Sequence, residues 1–217
     1  MRPFSAALLD MDGTLVDSNE FHIEAWRTAF LTFDMNIPKQ VIRKQIGKGA
    51  DMLVPTLAPQ LSESDQKTMG ERQGELFRAD FLKRVQPFKG AREFIQLLYQ
   101  REIKVVLASS SGKQEIDHYV ELLGVRDMIH AVTTKDDVSQ SKPAPDIFSV
   151  ALKKIAPVQP HDVIAIGDTP YDGIAATQCG ICTFGLRTGG FSDNELTDSG
   201  MSAIYDSIED VYLELRK

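Results

Sequence analysis

Residues 9–18 read Leu9-Asp10-Met11-Asp12-Gly13-Thr14-Leu15-Val16-Asp17-Ser18, directly after the apolar run Ala6-Ala7-Leu8-Leu9. A short, continuously apolar run that stops on polar residues reads as a strand buried on both faces. Such a strand has no structural need for two aspartates at its end. An acidic pair followed at once by Gly13 and Thr14 is either a solvated turn or a working site, and the rest of the chain decides which.

The tract that follows is helical. Phe21, Ala25, Trp26, Ala29 and Phe30 repeat at the three-to-four spacing of one helix face. Further helices are expected over 39–46, 51–57 and 62–85, the last opened by Ser62-Glu63-Ser64-Asp65, a capping-box pattern. No strand is expected between 17 and 86. After Pro87 helices alternate with apolar runs: helix 91–101, strand 103–108, helix 113–123 stopped by Gly124, strand 129–133, helix 146–155, strand 163–166, helix 171–179, strand 181–184 and a closing helix 207–215. Strands too continuously apolar to have a wet face, alternating with helices, predict an α/β fold with a doubly wound, Rossmann-like parallel sheet. An all-helical cap interrupts it after the first strand, so residues 1–15 and 87–217 form the expected catalytic core and 16–86 the cap.

Composition bounds the function. With 217 residues, 42% hydrophobic and 25% charged, the chain has the make-up of a soluble globular protein. A formal net charge of −7, without basic tails or patches, argues against nucleic acid as a partner. An anionic substrate must then be drawn by a local device such as a metal ion. Cys179 and Cys182 stand as C-G-I-C, but Gly180 stops a helix and Ile181 starts a strand, which puts the thiols on different elements rather than in a redox pair. Arg2 and the apolar residues after Phe4 imitate a signal peptide, yet Asp10 cuts the run short and no small-residue cleavage site follows. No stretch approaches the roughly 18 apolar residues of a membrane span. The expectation is a cytoplasmic protein, monomeric or a small homo-oligomer, acting on a small molecule and not on a membrane.

Ligands of open parallel sheets bind at the carboxyl ends of the strands. After the first strand come Asp10, Asp12, Gly13 and Thr14; after the second, Ser109, Ser110, Ser111 and Gly112. After the third come Asp136-Asp137 and then Ser141-Lys142-Pro143; after the fourth, Gly167, Asp168, Thr169 and Asp172. Each cluster alone has a plain reading as a turn or a helix cap. Four in order, each behind its own strand, point instead to phosphoryl transfer. Asp10 and Asp168 are hard oxygen donors suited to one Mg²⁺, which would offset their repulsion and hold a phosphate oxygen. Asp10 is placed to attack phosphorus and form an aspartyl-phosphate. Asp12 would protonate the leaving oxygen and then activate water, a role that calls for a carboxyl lifted in pKa. Ser109, with neighbouring backbone N–H groups, Ser110, Gly13 and Thr14, would bind the phosphate, and Lys142 would balance its charge. Gly13 lets the chain turn sharply beside a ligand.

The segments D-M-D-G-T-L-V-D-S, V-V-L-A-S-S, S-K-P-A-P-D-I-F and I-G-D-T-P-Y-D together resemble the haloacid dehalogenase superfamily in its phosphatase branch, along the whole chain. The resemblance implies Asp10 as nucleophile, Asp12 as general acid/base and a metal ligand through its backbone carbonyl, Ser109 as phosphate-binding hydroxyl and Lys142 as stabilising lysine. It implies Asp168 as Mg²⁺ ligand and Asp172 as its outer companion. Dehalogenation is excluded by the second aspartate, and ion pumping by the lack of membrane spans. F-H-I-E-A-W and I-G-K-G-A-D-M-L look like caps of the phosphoglycolate phosphatase and β-phosphoglucomutase neighbourhood. Where the mutases carry an arginine for a second phosphate, Ala50-Asp51 stand after Gly49, which favours hydrolysis over the mutase alternative. His22 and Trp26, at i and i+4 beside the entry to the cap, fit either packing or substrate gating. Lys48, flanked by Gly47 and Gly49, is either a substrate contact or a solvated loop lysine. A receiver-like phospho-aspartate signalling module is the remote alternative; it places the phosphorylated aspartate after a middle strand and has no helical insert.

Overall fold

The computed structural model describes residues 3–217. The chain opens with β1 (Ala6–Leu9) and a two-residue strand β2 (Val16–Asp17). Four helices follow: α1 (Asn19–Leu31), α2 (Lys39–Arg43), α3 (Ala50–Leu57) and α4 (Glu63–Leu76). A π-turn, Phe77–Phe81, and a 3-10 turn, Leu82–Arg84, lead into β3 (Gln86–Pro87), which pairs antiparallel with β2. Helices then alternate with strands: α5 (Ala91–Gln100), β4 (Lys104–Ala108), α6 (Lys113–Leu123), β5 (Ala131–Thr133), α7 (Asp146–Lys154), β6 (Val163–Gly167), α8 (Pro170–Gln178), β7 (Cys182–Leu186), α9 (Asp193–Asp198), β8 (Ala203–Tyr205) and α10 (Ile208–Leu215).

Six strands form one parallel sheet in the order β5-β4-β1-β6-β7-β8. β1 lies inside it and alternates between two cores. Ala7 and Leu9 pack with Leu107, Ile166 and Phe94 on one face; Ala6 and Leu8 pack with Val106, Ala165 and Phe148 on the other. Burying each of these leucines stabilises the fold by about 1.5–3 kcal/mol. The register sets Leu9 opposite both Leu107 and Ile166. Asp10 therefore leaves the sheet at the level from which Ser109 and Asp168 also emerge.

The helical segment has a core of its own, in which Ile23, Trp26, Phe30, Ile42, Leu53, Val54 and Met69 meet. The periodic face of α1 is divided: Trp26, Ala29 and Phe30 face this cluster, while Ala25 joins the core beneath the sheet.

Four expectations need correction. The β2–β3 ribbon touches residues 17 and 86, where no strand is expected, because two-residue strands carry no periodicity. The helix expected to run to Val85 ends at Leu76 and loosens into the π-turn. Ser62 caps α4 by accepting the Asp65 N–H at 3.1 Å, but Asp65 bonds the Ser62 hydroxyl rather than its N–H, so the box is incomplete. Strand β8 and helix α9 are missing from the sequence reading. The thiols do lie apart in the chain's architecture: Cys179 follows α8 and faces Ser149 Oγ, and Cys182 opens β7 and faces Ser202 Oγ. Among the described residues, no helix is long and apolar enough to cross a membrane.

Candidate active site

Asp10 follows β1 directly and is almost fully buried, its N–H tied to the Ile166 carbonyl at 3.0 Å. Lys142 is more buried still. Its ammonium donates to Asp10 Oδ1 at 2.7 Å and to the Ala108 carbonyl at 2.8 Å, and stands 2.7 Å from Asp172 Oδ1. A buried ammonium persists only when paired in this way. Burial alone would lower the Lys142 pKa, but Asp10 and Asp172 carry it above the lysine range. Burial lifts the Asp10 carboxyl to about 7, with Lys142 pulling it down and Asp172 pushing it up.

Asp168, fully buried after β6, accepts Thr14 Oγ1 on Oδ1 at 3.3 Å and Asn19 Nδ2 on Oδ2 at 2.8 Å. Burial, then Asp10 and Asp172, push it well above the carboxylate range. Thr169 caps α8, and Asp172 reaches back to its N–H at 3.1 Å and its hydroxyl at 2.7 Å. The cap and the site are thus one feature. Oxygens of Asp10, Asp168 and Asp172 lie within 4.8 Å of one another. Three hard carboxylates so close, two of them pushed up by burial and by one another's charge, fit a divalent cation such as Mg²⁺. The Asn19 amide oxygen beside them is buried without a partner among the described residues, an acceptor that a water retained by such an ion would satisfy.

Asp12 lies outside that acidic cluster. Its Oδ1 accepts Ser18 Oγ at 2.6 Å and Tyr119 Oη at 3.0 Å and faces His22 Nε2 at 3.0 Å; its Oδ2 accepts Ser111 Oγ at 2.5 Å. Burial pushes its pKa up, but His22, Ser111 and Ser18 outweigh burial and hold the carboxyl well below its usual range. This corrects the expectation of a lifted Asp12: its surroundings favour the anion, and it is Asp10 that is raised. Gln73 Nε2 lies 3.3 Å from the other ring nitrogen, His22 Nδ1. The His22 ring stacks on Phe77 at 3.8 Å, inside the π-turn.

Gly13 has φ of 75°, and a Cβ there would sit 2.0 Å from Asp168 Oδ2, so any side chain would strain the turn and displace Asp168. Its N–H goes to the Val16 carbonyl and that of Thr14 to Met11. Gly13 and Thr14 therefore shape the turn and brace Asp168, rather than offering free amides to a phosphate. Ser109 is buried and its Oγ accepts the Ser111 N–H at 3.0 Å; Ser110 Oγ donates to the Gly47 carbonyl of the helical segment at 3.2 Å. Both serines line a cavity of about 80 Å³ with Asp10, Asp12, His22 and Lys48. Lys48 Nζ donates to Gln45 Oε1 at 2.6 Å and lies 4.8 Å above the Tyr171 ring, and burial lowers its pKa. Trp26, Ile46, Gln73 and Phe77 close the cap side.

Ser18, Asn19, Ser111 and Tyr119 join the site beyond the residues expected from the sequence. Ser111 stands in the S-S-S-G loop behind β4, and Ser18, at the N-cap of α1, makes no side-chain capping bond and turns to Asp12. Nothing local marks Asn19 or Tyr119.

The family model of haloacid dehalogenase-like hydrolases matches residues 7–186. A validoxylamine A 7'-phosphate phosphatase of Streptomyces hygroscopicus subsp. limoneus is 27% identical, over 85% of this chain and 86% of its own. A phosphoglycolate phosphatase of Vibrio vulnificus is 23% identical, over 92% and 90%. The crystal structure of a hydrolase from Pseudomonas syringae superposes with a TM-score of 0.92 at 26% identity, covering 99% of this chain and 98% of that one. The chain belongs to the haloacid dehalogenase-like hydrolase family.

Proposed function

We propose that the protein is a Mg²⁺-dependent phosphatase of a small phosphorylated metabolite, of the phosphoglycolate or sugar-phosphate type, working through an aspartyl-phosphate. The observation that carries this reading is the Asp10–Lys142 pair at the end of β1, with Asp168 and Asp172 on one side and Asp12 on the other. Asp10, Asp168 and Asp172 would hold the ion, with the backbone carbonyl of Asp12 added by family resemblance. Bound there, Mg²⁺ supplies charge neutralisation for a transferring phosphoryl group.

The chain's own groups do the rest. A carboxylate oxygen of Asp10 attacks phosphorus, and the bond from phosphorus to the ester oxygen breaks. Lys142 favours the ionised form of Asp10 against burial and balances the phosphoryl oxygens, while the Ser109 hydroxyl would donate to one of them. The leaving oxygen takes its proton from Asp12. Water then attacks the aspartyl-phosphate, Asp12 takes the water's proton, and inorganic phosphate leaves with Asp10 restored. The grip on Asp12 favours the proton-accepting half of this cycle. Carrying a proton outward requires some donors to let go, and Ser18 and His22 stand at the first turn of α1, where movement of the 16–86 segment would release them.

The cavity beneath Trp26 and Phe77 holds Asp10, Asp12 and Ser109 at its floor and has room for a phosphate group. Asp51, in the place where the mutases carry an arginine, accepts the Ser141 N–H at 2.9 Å. A carboxylate tied to the core there is unsuited to a second phosphate, which supports hydrolysis over phosphoryl return.

The test is phosphate release from a panel of small phosphorylated metabolites and an aryl phosphate, with Mg²⁺ and with chelator, beside Asp10→Asn. Turnover that needs Mg²⁺ and disappears in the variant is expected. Turnover that survives either change would falsify the reading.

A further inference from the structure

Asn19 is the first residue of α1, and 7% of it is exposed. Its Nδ2 donates to Asp168 Oδ2 at 2.8 Å. A carboxylate oxygen accepts hydrogen bonds, so the amide nitrogen must face Asp168 and the amide oxygen is left over. That oxygen is buried and has no partner among the described residues. An unpaired buried acceptor costs about 1–3 kcal/mol, which makes a missing donor at this point the first thing to explain.

We propose that Asn19 is a positioning residue for the metal, fixing the rotation of the Asp168 carboxylate through Nδ2 and offering Oδ1 to a water that Mg²⁺ retains. The inference rests on the Mg²⁺-dependent reading of the site. Both oxygens of Asp168 are held, one by Thr14 and the other by Asn19, which sets the plane in which the carboxylate meets Asp10 and Asp172. Gly13 makes the room: a Cβ there would lie 2.0 Å from Asp168 Oδ2 and 2.3 Å from Asn19 Nδ2. Mg²⁺ keeps several waters when few carboxylates bind it, and a water O–H is the donor that Asn19 Oδ1 lacks. Ser18 and His22, on the same turn of α1, hold Asp12. One helical turn thus touches both the metal ligand and the acid/base.

The test is calorimetric titration of the full chain with MgCl₂, paired with thermal melts with and without the ion, for wild type and Asn19→Ala. Partners one layer behind a metal ligand shift affinity about 10–100-fold when removed. The variant's Kd for Mg²⁺ is expected to rise at least about tenfold, on that scale. Its metal-free melting temperature should stay near that of wild type, while the rise produced by Mg²⁺ shrinks. Should Asn19→Ala not fold, Asn19→Ser carries the same titration, since serine suits a helix start and lacks the amide. A Kd within twofold of wild type overturns the inference and leaves the phosphatase reading standing. A wild-type chain that binds no Mg²⁺ overturns both.

Discussion

Lys142 Nζ lies 2.7 Å from Asp10 Oδ1, and both groups are buried. The same ammonium reaches Asp172 and the Ala108 carbonyl, so one lysine joins the ends of β1, β4 and α8. Without it, three carboxyls would crowd a dry pocket. Lys142→Ala is expected to lower kcat by about 10²–10³, the scale of losing a preorganised charge partner. Breaking a buried pair also destabilises, by about 3–5 kcal/mol, because the partner is left uncompensated. Added Mg²⁺ should restore part of the lost melting temperature but not the rate. Steady-state kinetics and melts with and without the ion check both; a rate within tenfold of wild type would contradict the assigned role.

The sheet and the strand-end clusters were legible in the sequence because both are local. A buried parallel strand is a continuous apolar run, and the polar residues that matter stand just behind it, as Asp10, Ser109 and Asp168 do. Lys142 stands further behind its strand than these, after Asp136-Asp137. What escaped is what only tertiary structure creates. Asn19 meets Asp168 across 149 positions, and Tyr119 reaches Asp12 across 107 from the interior of a helix whose periodicity reads as core. β8 is a three-residue, half-buried edge strand with no alternation to read. Helix α9 did carry a signal, the Ser192–Glu195 capping box, but is too short to show a face.

The 16–86 segment is tied to the core by Arg78, whose Nη1 donates to Glu115 Oε1 at 2.8 Å. Glu115 is buried and Arg78 about one-third exposed. Arg78→Ala leaves a carboxylate buried without its cation and should destabilise by about 1–3 kcal/mol. Adding Glu115→Gln removes the charge that was stranded and should recover part of the loss. A double-mutant cycle of denaturant midpoints measures this coupling; simple additivity of the two single changes would show the pair contributes nothing.

Gly13→Ala tests the turn that carries the acidic pair. The residue holds φ of 75°, and the new methyl would collide with Asp168 at 2.0 Å. A left-handed backbone costs roughly 1–2 kcal/mol for any other residue, and the collision adds displacement of Asp168. The expected variant folds with a lowered melting temperature, loses phosphate release and no longer gains stability from Mg²⁺. A Mg²⁺-induced shift equal to wild type would show that Asp168 keeps its place.

Tyr119→Phe separates grip from fold. Tyr119 is fully buried on α6 and donates to Asp12 Oδ1 at 3.0 Å. Burial, then the Asp12 charge, push the phenol above its usual range, so it remains a donor at every working pH. The substitution keeps the ring and removes one of the groups that favour ionised Asp12. A hydrogen bond to a charged group contributes about 1.5–3 kcal/mol, so kcat should fall by roughly 10–100-fold with KM little changed. Losing a donor to the anion raises the Asp12 pKa. Stability follows the same sign. A carboxyl held below its unfolded value stabilises the fold above that value, and the gain is lost as pH falls. The melting-temperature gap between wild type and Tyr119→Phe should therefore be full at neutral pH and narrow as pH drops below the usual carboxyl value of 3.8. A purely structural tyrosine would lower stability at all pH values alike.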